Sequence, residues 1–434
     1  MKDRATGAPP TSIQAFRDSA TLREYTTAVS LHAHTNRSKE IMADVAPYLA
    51  RIPIVARLVR REMQAYVRRN GQAVDFTKGW WHPPLGPEAV LHSETAQIVR
   101  TLGLMPLVSI TDHDTIDAGL GLRPVHSGLP ISFEWTVPFR EGFFHLGVHN
   151  LPPATARDVF GELAAYTRAP AAKRLSDLLG GLNRTPETLL ILNHPLWDLA
   201  GVGSAIHVAL LRRFLGDHGP AIHGLEMNGY RSPRENQAVR TLAEACGLPV
   251  VSGGDRHGCA PNSLLNLTTA TSFGAFVREI REHRQSVILV MPQYRNALVA
   301  RKLTVAAEAM RLYPANPPGQ QRWTDRVAYD RSGVVRSLSD HWPSGGPLWV
   351  RSAMRLFQLA SRPSLLPLFH ALVWLAGATT SDRASPATVV ATTRRGFTLE
   401  ALVSPGSPMM ATPADERGPF RDSLLRPAGG RPPQ

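Results

Sequence analysis

Seven short apolar runs, rich in residues that favour β-strands, recur between residues 26 and 254 of the sequence. They read TTAVSL, MPLVSIT, LPISFEW, GFFHLGV, TLLILN, IHGLEMN and LPVVSGG, and most are separated by stretches with helical periodicity. Strands that alternate with helices in this way are typical of βα units. The pattern therefore predicts an α/β fold built on a mainly parallel sheet.

Side chains that can bind metal ions stand at or just beyond the end of these runs. In chain order they are His32 and His34, Asp112 and His113, Glu134, His145, His194, Glu226 and Asn228, and Asp255 and His257. In barrel-like α/β folds, active sites are built at the edge where the strands end. Histidine and carboxylate ligands suit Zn²⁺, Mn²⁺ or Fe²⁺, and two such ions can activate water for attack on a phosphate ester. We therefore expect a hydrolytic metal site.

The composition is that of a globular protein with a positive charge. Of 434 residues, 43% are hydrophobic, enough for one large α/β domain with additional segments. Two cysteines exclude a disulfide framework, and the N-terminal stretch lacks the apolar segment of a signal peptide, so we expect a cytoplasmic protein. The net charge of +13 favours anionic partners, namely a small phosphorylated substrate, a nucleic acid or an anionic membrane surface.

Changes in composition divide the chain into four parts. Residues 1–25 are a leader, and residues 26–292 are the predicted domain, with an insertion at about residues 40–84. Residues 293–380 are predicted to form a helical extension. Residues 381–434 are rich in Pro, Arg, Ser and Gly, which is typical of a disordered tail.

The insertion contains a candidate amphipathic helix. Arginines occupy one face, and the apolar face comprises Ile52, Val55, Val59, Met63, Tyr66 and Val67. Because the insertion begins beside the predicted metal site, this helix could be a lid over that site, or it could lie on an anionic membrane. A third interpretation is a peripheral helix that only packs on the domain.

Six motifs follow one another in the order HAHTNRSKE, ITDHDTIDAG, ISFEW, HLGVH, NHPLW and GGDRHG. Over about residues 26–292, the sequence therefore resembles the PHP-domain family (polymerase and histidinol phosphatase), whose members are metal-dependent phosphoesterases. The resemblance implies a distorted, TIM-like (β/α)7 barrel with two or three divalent metal ions, Zn²⁺, Mn²⁺ or Fe²⁺. The helical insertion predicted above would follow the first strand of this barrel, and the predicted helical C-terminal extension would follow the last.

The resemblance also implies which residues bind the ions. Carried over position by position, the ligands are His32, His34, His113, Glu134, His145, His194, Asp255 and His257. Glu134 would bridge two ions. The first ion would then be held by His32, His34, Glu134 and Asp255, the second by Glu134, His145 and His194, and the third by His113 and His257.

One position departs from the family pattern. Where the family has an Asp or a His that helps to hold the third ion, an alignment without gaps places Lys39. A protonated ammonium group has no lone pair and cannot bind a cation. Either the neighbouring Glu40 replaces the missing ligand, or the site holds only two ions and Lys39 contributes a fixed positive charge.

Three further residues, Asp112, Asp114 and Arg256, are candidates for a direct role in catalysis. The two aspartates flank His113 and could orient an imidazole or transfer a proton, although turn and capping roles fit equally well. Arg256, like Arg231, lies near a strand end and could bind a phosphate group through two hydrogen bonds. A surface salt bridge is the alternative for either arginine.

The predicted function is hydrolysis of a phosphate ester of a small molecule, such as a nucleotide or a sugar or amino-alcohol phosphate, by metal-activated water. Two alternatives stay open. A nuclease that acts on polynucleotide ends would suit the positive charge of the chain. A non-catalytic metal-binding scaffold at a membrane or protein surface would suit the lysine at position 39.

Overall fold

The computed structural model describes residues 11–42, 53–71, 75–331, 333–360, 362, 364–365 and 367. Residues 1–10 of the predicted leader and the whole of the predicted disordered tail, residues 381–434, lie outside the described residues. The strands are β1 (Thr11–Ala15), β2 (Thr27–Ser30), β3 (Glu40–Ile41), β4 (Gly79–Trp81), β5 (Met105–Val108), β6 (Ile131–Phe139), β7 (Gly142–Leu151), β8 (Leu189–Leu192), β9 (Gly224–Asn228), β10 (Val250–Gly253), β11 (Leu264–Thr268), β12 (Ser286–Val290), β13 (Val327–Arg331) and β14 (Val334–Ser337).

The α-helices lie mostly between these strands. They are α1 (Pro53–Asn70), α2 (Pro87–Gln97), α3 (Asp117–Leu122), α4 (Ala156–Arg168), α5 (Ala172–Asn183), α6 (Ser204–His218), α7 (Pro233–Cys246), α8 (Phe273–Arg278), α9 (Leu298–Ala309), α10 (Leu338–His341) and α11 (Leu348–Ala360). None of the described helices is both long and apolar enough to cross a membrane. The alternation of strands and helices agrees with the predicted α/β class.

Two five-stranded sheets form the centre of the molecule. Their strand orders are β1-β12-β11-β2-β5 and β10-β9-β8-β7-β6. Single parallel bridges join the sheets, from Ala33 to Arg256 and from His113 to Glu134. Among the described residues, continuous strand pairing does not close the two sheets into a barrel.

The sheets are mixed, whereas the sequence predicted a mainly parallel one. Strands β6 and β7 form an antiparallel hairpin, and β11 runs antiparallel to both of its neighbours. Only Arg140 and Glu141 connect β6 to β7, and Arg140 has a left-handed backbone with φ of 55°. A connection of two residues is too short for the crossover that parallel strands need, so these two runs pair directly.

A hydrophobic core lies between the two sheets. Val29 of β2 packs with Ile191 of β8 and Val251 of β10, and Phe276 of α8 covers the same cluster. All four side chains are almost completely buried. Burial of this apolar surface fixes β2 against β8 and β10, and it therefore also fixes the polar residues that follow these strands.

The insertion and the C-terminal extension share a third sheet. Its order is β14-β13-β4-β3, so that two strands come from each segment. Neither segment is therefore wholly helical, which corrects the sequence-based prediction for both. The hairpin of β13 and β14 turns at Gly333, whose left-handed φ of 83° a residue with a side chain rarely adopts, and the valines on both sides of that turn favour strands.

The proposed lid helix is present as α1, but most of its predicted apolar side chains are not among those that the structure describes. Ile52 is not among the described residues, and of the predicted face only Met63, Tyr66 and Val67 have described side chains. The helix contacts the C-terminal extension, because the Trp349 indole N–H of α11 donates a hydrogen bond to Glu62, at 3.3 Å. Its role as a lid, a membrane element or a packing helix stays a prediction.

Candidate metal centre

All eight predicted metal ligands lie together at one edge of the two central sheets. Because β8, β9 and β10 run parallel as neighbours, the residues at their carboxyl ends meet at a common edge. His194 follows β8, and Asp255 follows β10. The hairpin of β6 and β7 adds Glu134 and His145 from the neighbouring side. The fold thus assembles residues that the sequence spreads over more than half of the chain.

Four ligand atoms form the innermost group. The Nε2 atoms of His32 and His34 are 3.0 Å apart, and Asp255 Oδ1 is 3.4 Å from each. Glu134 Oε2 lies 3.1 Å from His32 Nε2 and 3.4 Å from His34 Nε2. The ligand atoms of a tetrahedral ion with bonds of about 2.0 Å are about 3.3 Å apart. The spacing of the four atoms therefore fits a bound transition-metal ion.

The second oxygen of Glu134 faces a different set of side chains. Glu134 Oε1 is 3.2 Å from His145 Nδ1 and 3.1 Å from His194 Nε2, and the Asn193 amide donates to it at 2.9 Å. Each carboxylate oxygen can bind one cation. Glu134 is thus placed to bridge two ions, as the resemblance implies.

A third cluster includes Glu40, and it resolves the question of Lys39. Glu40 Oε2 is 3.0 Å from His257 Nε2 and 3.3 Å from His113 Nε2, whereas His34 Nδ1 is 3.7 Å from Glu40 Oε1. The Lys39 ammonium is exposed instead. Glu40 therefore belongs to this cluster, and the Lys39 side chain is outside it.

Strand pairing explains why position 40 rather than position 39 faces inward. Glu40 pairs with Trp81 across β3 and β4, and successive residues of an extended chain point to opposite sides. Lys39 then lies over the neighbouring Trp80 ring, with its Nζ 5.0 Å from the ring centroid. An alignment without gaps could not detect this shift by one residue.

The buried polar atoms fit a set of divalent cations. Among the described residues, Glu40 Oε1 and His145 Nδ1 are buried and have no hydrogen-bond partner. Burial alone would raise the pKa of Glu134, but the imidazoles of His32 and His113 hold that pKa well below its usual value. The carboxylate is thus ionised and surrounded by groups that are either cations or metal ligands. Lone pairs without donors, in a cluster of ionised oxygens and imidazoles, are what a metal centre requires.

A second carboxylate, Glu226, orients the ligands. It contacts His32 Nδ1 through Oε1, and its Oε2 accepts the backbone N–H of His194, at 2.7 Å. Asn228 Nδ2 bridges Glu226 and Asp255 at 2.8 and 3.1 Å. A carboxylate on the far nitrogen of a ligand histidine fixes the ring and its tautomer. Sequence reasoning placed Glu226 at a strand end but gave it no role.

A glycine makes room for that carboxylate. A Cβ atom built on Gly253, at the end of β10, would lie 1.6 Å from Glu226 Oε1. Only a residue without a side chain is compatible with Glu226 at this position. The glycine of the GGDRHG motif was therefore a usable signal for the close approach of another group.

Three of the ligand residues have strained backbones. The φ angles of His32, His194 and Asp255 are 62°, 27° and 55°, in the left-handed region that residues other than glycine rarely adopt. Such strain costs of order 1–3 kcal/mol per residue and persists where the surrounding structure imposes it. Of the seven described residues other than glycine with positive φ, three are thus candidate metal ligands.

The three predicted catalytic residues have other partners. Asp112 accepts hydrogen bonds from the backbone N–H and the hydroxyl of Thr35, and burial raises its pKa to about 7. Asp114 accepts the backbone N–H of Thr136, at 2.8 Å. The capping interpretation therefore describes both aspartates, since these contacts fix loops that carry ligands.

Arg256 is buried, and both terminal nitrogens of its guanidinium have partners within the protein. Its guanidinium pairs with Glu94 at 2.6 Å and donates to the carbonyl oxygens of Gly258 and Cys259, each at 3.0 Å, whereas its buried Nε has no hydrogen-bond partner. These contacts direct both terminal nitrogens toward the protein rather than toward a phosphate. The structure thus corrects the prediction that Arg256 meets the substrate, and it also excludes a surface salt bridge because the pair is buried.

Comparisons with known proteins add little at the level of sequence. No protein-family model and no curated protein matches the chain. Among solved structures, it is similar to a Bifidobacterium adolescentis protein provisionally described as a metal-dependent phosphoesterase, with 17% identity and a TM-score of 0.29 over 47% of this chain and 92% of the other. It is also similar to an amidohydrolase from Chromobacterium violaceum with bound sulfate and no metal, with 17% identity and a TM-score of 0.26 over 40% of this chain and 83% of the other. The geometry of the site is therefore the basis for inferring a function.

Proposed function

We propose that this chain is a metal-dependent phosphoesterase of the PHP type that hydrolyses a small phosphorylated substrate in the cytoplasm. The observation that carries the proposal is the position of Glu134, whose two oxygens face two separate clusters of histidines. This arrangement suits a pair of divalent ions, Zn²⁺, Mn²⁺ or Fe²⁺, and Glu40 with His113 and His257 suits a third. In this proposal the two five-stranded sheets are the halves of a distorted barrel.

In this proposal the residues of the site have separate roles. His32, His34, Asp255 and Glu134 would hold one ion, with Glu226 fixing the orientation of the His32 ring. Ions bound in such a centre supply a hydroxide at neutral pH and offset the charge of the phosphoryl oxygens. The second oxygen of Glu134 and the carboxylate of Glu40 keep the remaining histidines in place. Asp112 and Asp114 position the loops and are not assigned a proton-transfer step.

The surroundings of the third cluster favour a small substrate over a polynucleotide. The Trp81 ring of β4 has its centroid 6.1 Å from that of His257, and the Tyr230 ring is 6.5 Å away. In this proposal the two rings would pack against a small substrate bound at the third cluster. A nuclease activity on polynucleotide ends is the runner-up proposal, and binding to a membrane remains a prediction.

Metal analysis combined with a substrate screen tests the proposal. The purified protein should contain two to three equivalents of divalent metal and should release phosphate from one or more nucleotides, sugar phosphates or amino-alcohol phosphates. Activity only on oligonucleotides, with a steep decrease as salt increases, would favour the nuclease instead. Stoichiometric metal without hydrolysis of any phosphate ester would favour the metal-binding scaffold.

A further inference from the structure

Arg231 lies close to the candidate metal centre and has a buried side-chain nitrogen without a hydrogen-bond partner among the described residues. Arg231 follows β9 by three residues, at the edge that also holds His194 and Asp255. It is 8% exposed, and in the described part of the chain its buried Nε has no hydrogen-bond partner. The nearest carboxylate, Glu235 Oε1, is 3.9 Å from Nε. A guanidinium has five N–H donors, and burying them without acceptors is costly.

An aromatic ring holds this guanidinium in place. The Arg231 Cζ atom lies 3.3 Å from the centroid of the Trp197 ring, a distance typical of a stacked cation–π pair. Trp197 is itself tied to the centre, because its backbone N–H donates to the His194 carbonyl at 2.9 Å and its ring is 5.2 Å from the His194 ring. Stacking occupies the face of the guanidinium and leaves its edge, which carries the N–H groups, available.

A buried Nε without a hydrogen-bond partner is shared with Arg256, but the two arginines differ at their terminal nitrogens. Those of Arg256 donate to the Glu94 carboxylate and to two backbone carbonyl groups. The Arg231 guanidinium is oriented by an aromatic face, and the nearest carboxylate, Glu235, is 3.9 Å from its Nε. In the described part of the chain, this guanidinium therefore lacks a close acceptor that would compete with a phosphate group.

We propose that Arg231, stacked on Trp197 beside His194, is the residue that binds the phosphate group of the substrate. This inference rests on the proposed phosphoesterase function and deepens it, because it names the anion-binding residue of the same site. A planar guanidinium matches two phosphate oxygens through two parallel hydrogen bonds. Arg231 thus makes contact with the substrate, while the histidines and carboxylates hold the ions.

Binding of inorganic phosphate to the purified, metal-loaded protein tests the proposal by calorimetry. Arg231→Met keeps most of the side-chain volume and removes the charge, so phosphate binding should weaken by at least about tenfold. Arg231→Lys keeps the charge but lacks the planar guanidinium. Its phosphate affinity should therefore lie between that of the wild type and that of Arg231→Met. The matched control is Arg213→Met, an exposed arginine of α6 that pairs with Asp217, and it should bind phosphate like the wild type.

The results separate this inference from the proposed function. Unchanged phosphate binding in a folded Arg231→Met variant, with the metal content of the wild type, would overturn the inference even if the enzyme hydrolyses phosphate esters. Phosphate binding that depends on Arg231 in a protein without hydrolytic activity would support the inference and contradict the proposed function. For active protein, we expect Arg231→Met to raise KM more than it lowers kcat.

A second variant applies if both Arg231 substitutions fail to fold. Glu235 is the nearest carboxylate and competes with phosphate for the guanidinium. Glu235→Gln removes that competition and should strengthen phosphate binding about two- to threefold. Phosphate binding equal to that of the wild type in this variant would contradict the proposal.

Discussion

The metal centre and the outer four-stranded sheet differ in how their residues are held. At the centre, His32, His194 and Asp255 follow fully buried strands, and Glu134 lies within 3.4 Å of five histidines. The outer sheet of β3, β4, β13 and β14 joins two segments that are far apart in sequence, and Val334 and Val335 are each 54% exposed. Buried strand ends thus impose the position of a side chain, whereas the outer layer depends on pairing between distant segments.

The largest expected effect concerns the residue shared by two clusters. Glu134→Gln removes the charge between the histidines, so most of the bound metal should be lost and turnover should fall by at least about a thousandfold, roughly 4 kcal/mol. Metal analysis and phosphatase assays measure both. Glu187→Gln, at an exposed glutamate, is the control. Full metal content and activity in Glu134→Gln would refute the bridging role.

The next prediction compares two adjacent residues at the border between centre and outer sheet. Glu40→Gln should lower the metal stoichiometry by about one ion, because it removes the carboxylate shared by His113 and His257. Lys39→Gln should leave the stoichiometry unchanged, since its ammonium lies over Trp80. Native mass spectrometry distinguishes the two. The reverse result, with loss of an ion only in Lys39→Gln, would mean that Lys39 supports the third site.

A smaller effect is expected for a residue that does not touch the proposed ions. Gly253→Ala places a methyl group against Glu226 and should lower the metal affinity about tenfold by disturbing the His32 ring. Gly216→Ala, in α6, has no neighbour within 4 Å of the added atom and serves as the control. Competition with a chelator measures the affinity. Equal affinities in both variants would show that Glu226 tolerates displacement.

The smallest effect is expected in the outer layer. Leu356 of α11 is 67% exposed, and Leu356→Ala should change the free energy of unfolding by no more than about 0.5 kcal/mol. Leu192 of β8, directly before the metal ligands, is fully buried, and Leu192→Ala should cost about 2–5 kcal/mol. Denaturant unfolding compares them. A cost for Leu356→Ala similar to that for Leu192→Ala would mean that the outer helix belongs to the core.

The sequence predicted which candidate metal-binding side chains come together better than it predicted their surroundings, for a physical reason. Each ligand such as His32 or Asp255 follows a buried strand that is recognisable from its own residues, and the sheet then brings the ligands together. The role of Glu226 could not be predicted, because it depends on a contact with His32 from a distant strand. Arg256 looked suitable for phosphate, but its partner Glu94 lies on a helix far away in the sequence.

Strand pairing in the outer sheet also could not be predicted from local sequence. The helical periodicity of the insertion predicted α1, but the pairing of β4 with β13 has no signal in either segment alone. The β6–β7 hairpin was predicted as two strands, and only the length of its connection indicated that they run antiparallel. Local pattern identifies an element, whereas its partner depends on the rest of the chain.

The pairing of β4 with β13 also has a consequence for the order of folding. Trp81 pairs with Glu40 on one side and with Val327 on the other, so the strand that carries a proposed metal ligand is completed by a segment synthesised much later. Contacts between such distant segments form late, because closing a long loop costs entropy before the contact stabilises it. During synthesis, every residue of the Glu134 clusters precedes β13 in the chain. The third cluster would mature only after β13 has left the ribosome.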